Sequence, residues 1–193
     1  MGDGKPIVFN AEMVRAILDE RKTQTRRLVK SYYNVDLKRV LDPSKDGTFD
    51  FVFNNKEESS HLVKCPFGQP GDFLWVKETF ARYPQFTYKA DRYEFKDSNG
   101  KVWIPKWTPS IHMPRHLSRI LLQVINIRVE RVQDISEEDV KAEGVKPTIN
   151  SSRCLDKYKS SFESLWDSIN KEGSKWDDNP WVWVIEFNQY KVD

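Results

Sequence analysis

The run Arg21-Lys22-Thr23-Gln24-Thr25-Arg26-Arg27 gathers an amine, hydroxyls and guanidinium groups in one short stretch. Lys22 and Thr25 are three residues apart, so a helix continued through them would put amine and hydroxyl on one face. A threonine hydroxyl is a poor nucleophile until a base removes its proton. A lysine amine can be that base only when burial or nearby cations pull it down from ~10.4. Arg21, Arg26 and Arg27 are such cations. The same residues also describe a solvated basic helix end that complements the C-terminal dipole, and spacing alone favours that plainer reading. Glu143 stands just before Gly144 at the end of a predicted helix, where the dipole disfavours a carboxylate. That placement suits a tertiary partner such as Lys22, although a surface glutamate looks the same in sequence.

Other chemistries find less support. His112 and His116 are four apart, but Pro114 between them breaks the helix that would align two imidazoles. No metal site is expected. Cys65 and Cys154 form no CxxC pair, so neither a disulfide framework nor a zinc knuckle is expected. Gly68 and Gly71 flank Gln69-Pro70, and proline offers no N–H to a phosphate, so no nucleotide loop is present. No organic cofactor is implied.

The elements that must hold these residues are drawn from 193 residues, read as one domain, 1–193. There are 31 Lys and Arg against 29 Asp and Glu, a formal net charge of +2, which argues against a large phosphate footprint. Hydrophobic residues make up only 38 %, yet 7 Trp, 7 Tyr and 11 Phe provide core volume and exclude disorder for most of the chain. No apolar run approaches the ~20 residues of a membrane span. The start MGDGKPIVF lacks a signal-peptide pattern, and Pro6 stands where a myristoylation signal requires Ser or Thr. A cytoplasmic protein without a membrane partner is expected.

Ile7–Phe9 reads as a strand, and Asn10 caps a helix running to about Glu20. Residues 30–64 read as a long irregular insertion, broken by Asp42-Pro43 and Asp46-Gly47, with one local strand at Phe49–Phe53. Phe73–Lys77 reads as a strand after the stiff turn Cys65–Asp72. Tyr88–Tyr93 and Lys101–Ile104 read as a hairpin around Ser98-Asn99-Gly100. Arg119–Val132 alternates strongly, with a parity change at Val124–Ile125 that predicts a bulge. Ser136 opens a helix ending at Glu143-Gly144; a second helix spans about 157–170; Trp181–Phe187 is a closing strand.

Several uncommon motifs, in order, resemble the ASCH (activating-signal-cointegrator homology) family. They are Arg21–Arg27, Cys65-Pro66-Phe67-Gly68-Gln69-Pro70-Gly71-Asp72, Trp75-Val76-Lys77-Glu78-Thr79, Trp107–Arg115 and Arg128–Ser136. The likeness covers Pro6 to Phe187 except the 30–64 connection, and the longer forms of the family are typical of phage and prophage genomes. The resemblance implies an α+β fold, a PUA-like mixed β-barrel with flanking helices, and an association with RNA or nucleosides. One branch hydrolyses the amide of N4-acetylcytidine with a Lys, a Thr three residues later and a downstream Glu. Those roles map onto Lys22, Thr25 and Glu143. The expected function is therefore an amidohydrolase acting on N4-acylated cytidine, with Thr25 as nucleophile and Lys22 and Glu143 as the acid–base pair. Arg26, Trp75, Lys77, Tyr88, Trp107, His112 and Arg115 are expected to contact a modified pyrimidine nucleoside or RNA. The alternative is a non-catalytic RNA-binding PUA-like module.

Overall fold

The computed structural model describes residues 4–30, 37–41, 47–53, 60–83, 85–92, 94–96, 99–147 and 157–191. Its centre is a five-stranded sheet of β1 (Lys5–Val8), β6 (Phe73–Lys77), β11 (Leu121–Arg131), β12 (Trp181–Tyr190) and β2 (Gln24–Leu28), in that order. The β1–β6 pair is parallel and the other neighbours are antiparallel. The register of β11 against β12 shifts between Val124 and Asn126, as the parity change predicts. The bulge leaves Ile125 exposed and returns Ile127 to the buried face.

Each face of this sheet is covered by a different layer. Trp183, Ile185 and Phe187 face a core shared with Ile7, Phe9, Val14 and Ile17. Val182 and Val184, one residue out of phase, face Phe162, Trp166 and Trp176. The second face is closed by helices α2 (Glu137–Ala142) and α3 (Lys157–Ile169). Helix α1 (Ala11–Leu18) starts as expected, with the Asn10 side chain accepting from Met13 N at 2.9 Å.

The expectation of an irregular 30–64 insertion is corrected. Strands β3 (Leu37–Leu41), β4 (Thr48–Phe53) and β5 (Ser60–Lys64) form an antiparallel three-stranded sheet. The reason lies in the alternating rings of β4. Phe49, Phe51 and Phe53 are buried in the main core, with Phe51 stacked on Trp183 at 5.4 Å and Phe49 edge-on to it at 5.0 Å. Asp42, Pro43 and Asp46 lie outside the described residues, as does Cys154.

Two short two-stranded sheets complete the strands. They pair β7 (Phe80–Ala81) with β8 (Thr87–Tyr88), and β9 (Phe95–Lys96) with β10 (Val102–Trp103). The expected hairpin is thus present at 95–103, but its first strand begins at Phe95. Lys89–Asp91 form a 3₁₀ turn, so Tyr88–Tyr93 is not one strand.

The fold is mixed α+β. The expected barrel is not closed by backbone pairing among the described residues, because the edge strands β1 and β2 form no ladder with each other. A side chain crosses the gap instead: Arg27 Nη2 donates to Val8 O at 2.6 Å.

Candidate active site

Helix α1 does not continue through Lys22. It ends at Leu18, and Glu20 takes a left-handed conformation with φ 58°. Arg21 N and Lys22 N then both donate to Ala16 O, at 2.8 and 2.9 Å. Sequence reasoning missed this turn because glutamate carries none of the usual αL signal. Lys22 is consequently in a short antiparallel bridge with Glu143, and Thr25 lies in β2 opposite Ile185. Helical i,i+3 proximity is replaced by strand geometry.

Glu143 comes from the opposite direction. The Ser136 side chain accepts from Asp139 N at 3.0 Å and opens α2, and Glu143 is the residue that ends it. Gly144 follows at φ +80°, and a Cβ there would lie 2.7 Å from Ala16 Cβ and 3.0 Å from Lys22 Cβ. Only glycine lets the end of α2 approach Lys22 this closely.

The two polar residues meet inside the protein. Lys22 is 2 % exposed and Glu143 7 %. Lys22 Nζ donates to Glu143 Oε2 at 2.5 Å and to Glu143 O at 3.0 Å. The ammonium also lies 5.7 Å from the centre of the Phe9 ring. Burial pulls the Lys22 amine below the ordinary lysine range; the Glu143 carboxylate opposes this, while Arg27 and Arg26 add to it.

Arg26, expected to contact the nucleoside or RNA, lines the same cavity as Lys22 and Thr25. Its guanidinium is sealed among carboxylates: Glu130 Oε1 at 2.5 Å, Asp139 Oδ2 at 3.1 Å and Glu143 Oε1 at 3.2 Å. Arg26 thereby holds one oxygen of Glu143 and leaves the other to Lys22. Asp139 also accepts from Gln24 and Arg128, and Arg128 pairs with Glu130 and Glu186. Burial pushes the Asp139 carboxyl up, but the Gln24 hydrogen bond and the two arginines outweigh it and hold it below the usual range. This network went unread in the sequence. Its signal is the pair of opposite charges two residues apart, Arg128 and Glu130, in the second half of a strand rich in Leu, Ile and Val.

Lys22, Thr25 and Glu143 line one cavity of about 30 Å³, walled by Phe162, Leu165, Trp166 and Ile169. That is room for at least one water, which needs ~10–15 Å³. Among the described residues the Thr25 hydroxyl has no hydrogen-bond partner. Beyond the shared residues Met13, Glu143 and Leu165 opens a larger cleft of about 390 Å³, whose wall includes Arg21, Arg92 and Lys146.

The remaining expected contacts gather elsewhere, and none of them lines the cavity or the cleft. Lys77 Nζ and Arg115 Cζ both lie over Trp75, at 5.5 and 5.7 Å from its ring centre. Lys77 Nζ is bound to Ile111 O. Tyr88 donates to Leu117 O at 2.8 Å, beneath the Arg119 guanidinium. His112 is exposed on the 3₁₀ turn Ser110–His112, and Pro114 separates it from the turn Arg115–Leu117. Trp107 is half-buried beside Thr108, which bridges to Phe80.

Among the described residues no group of three or more His, Cys, Asp or Glu could hold a metal ion, and no helix is long and apolar enough to cross a membrane. No protein-family model, no curated protein and no solved structure matches the chain.

Proposed function

We propose that this protein is an amidohydrolase of the ASCH type that removes the acyl group from N4-acylated cytidine. The observation that carries the reading is the buried Lys22–Glu143 pair, 2.5 Å apart, on the wall of a cavity that Thr25 also lines. A buried amine held below its usual pKa, next to a carboxylate and an unengaged hydroxyl, is the constellation that nucleophilic acyl transfer requires. The small cavity takes the acyl group and the adjoining cleft takes the nucleoside, within the ~300–1,000 Å³ usual for such ligands. A PUA-like fold belongs to the same proposal, supported by the curling of the five-stranded sheet that brings Arg27 of one edge to Val8 of the other.

In this mechanism the Thr25 oxygen adds to the acyl carbon and its proton passes to the Lys22–Glu143 pair. The C–N4 bond then breaks, and N4 takes the proton as cytidine leaves. Water adds to the resulting threonine ester, giving up a proton to the same pair. The ester C–O bond breaks, restoring the Thr25 hydroxyl and releasing the carboxylic acid. The net reaction consumes one water and needs no redox partner. Proton transfer of this kind contributes ~10²–10⁴-fold. Mixing N4-acetylcytidine with the protein in excess and following both products by NMR tests the reading. Cytidine and acetate in equal amounts are expected; no cytidine overturns it.

RNA binding is the second reading, favoured by the Trp75, Lys77 and Arg115 group on the surface away from the cavity. It calls for RNA affinity that falls steeply with salt and is unchanged by Lys22→Ala.

A further inference from the structure

Arg26 and Arg27 are neighbours on β2 in opposite electrostatic circumstances. Successive strand residues face opposite ways, and here carboxylates contact Arg26 directly while Arg27 feels Glu143 only without direct pairing. Arg26 is matched by Glu130, Asp139 and Glu143. Arg27 forms no ion pair among the described residues. Of the five N–H donors a guanidinium carries, its Nη2 alone is engaged, by Val8 O at 2.6 Å. Its Nε is closed off from solvent and has no hydrogen-bond partner. The face of the Phe9 ring lies 5.1 Å from Cζ, and the Glu143 carboxylate favours the charge without pairing with it.

Burial disfavours the half-buried Arg27 cation, and the Glu143 carboxylate opposes this without forming an ion pair among the described residues. An acceptor brought into direct contact would supply what is missing. Arg27 stands on the wall of the cavity lined by Lys22, Thr25 and Glu143. The Lys22 amine is committed to both the side chain and the carbonyl of Glu143, and Arg26 makes four hydrogen bonds to Glu130, Asp139 and Glu143. Arg27 is therefore the cavity-lining cation with the most donors to spare. We infer that Arg27 is a further catalytic residue, whose free N–H groups receive the acyl oxygen as negative charge develops on it and afterwards hold the carboxylate product. The chemistry rests on the amidohydrolase reading, whereas the recognition of a carboxylate does not.

Two measurements test it. In N4-acetylcytidine hydrolysis, Arg27→Gln is expected to lower kcat by ~10²–10³-fold with a much smaller change in KM, as for loss of an oxyanion donor. A kcat within about threefold of wild type overturns the inference. Independently of turnover, wild-type protein is titrated with sodium acetate while the arginine Nε–Hε resonances are followed by ¹⁵N NMR. The Arg27 resonance, assigned by its absence in Arg27→Lys, is expected to shift and saturate; an unmoved resonance overturns the inference even if Arg27→Gln fails to fold. A saturable shift together with no wild-type hydrolysis supports Arg27 as a carboxylate site and overturns the amidohydrolase reading alone.

Discussion

Lys22 is held between opposing influences: burial and two arginines favour the neutral amine, and Glu143 favours the ammonium. Because burial wins, hydrolysis should increase with pH over an interval that lies below the ordinary lysine range near ~10.4. The same shift has a stability consequence. Between the lowered folded value and ~10.4 the unfolded chain binds the extra proton, so the Lys22 contribution to stability improves as pH rises through that interval. Lys22→Arg keeps the charge and cannot deprotonate, and should abolish the rise together with the activity. Thr25→Ser should retain turnover and Thr25→Val should lose it at nearly constant volume; a fully active Thr25→Val protein would transfer the attack to water. Cys65 offers a contrasting case. Burial pushes its thiol up to about 11, so iodoacetamide should leave it unmodified at neutral pH in the folded state. The pairing of Lys22 with Glu143 was legible in the sequence because a carboxylate at a helix C-terminus opposes its own dipole. The burial of Arg26 was not, since a basic run reads the same whether solvent or carboxylates surround it.

The ends of the elements, more than their middles, set the geometry of the site. Gly144 is the clearest instance: a methyl group there meets Ala16 and Lys22, and the backbone is left-handed. Gly144→Ala should cost at least ~1–2 kcal/mol from the backbone alone, and should lower activity further by separating Glu143 from Lys22. Thermal unfolding and kcat measured on the same sample check both. Ser136→Ala removes the cap of α2 and should cost ~0.5–2 kcal/mol. Asp139, held below the usual range, contributes stability above ~3.9 that is lost as pH falls through its lowered folded value. Asp139→Asn should therefore shrink the acid-induced loss of stability. Strand periodicity, the β11 bulge and the α2 caps were readable because each has a local signature. The end of α1 at Leu18 was not, because it depends on Ala16 O capturing two amides from residues that would otherwise continue the helix.

Across the whole molecule, the five-stranded sheet is enclosed by the helices α2 and α3 on one face and, on the other, by the sheet of β3, β4 and β5. The role of that second sheet was hidden in the sequence by the turn residues around it. Only the period-two rings of Phe49, Phe51 and Phe53 pointed to a core contribution, and their target, Trp183, is more than a hundred residues away. Phe51→Ala should destabilise the fold by ~3–5 kcal/mol, measurable by denaturant unfolding. On the helical face, Phe162 and Trp166 narrow the site to about 30 Å³. Acetyl should therefore be processed far faster than benzoyl, and Leu165→Ala should reduce the difference; equal rates on the two amides would remove the cavity from the account. The central claim is that this cavity hydrolyses the N4 amide through Lys22. Its most direct test is single-turnover release of cytidine from N4-acetylcytidine at pH values of about 7 and 9, with wild type beside Lys22→Ala. The account predicts release by wild type, faster at the higher pH, and none above the uncatalysed rate in the variant. Cytidine released at the wild-type rate by Lys22→Ala would contradict it.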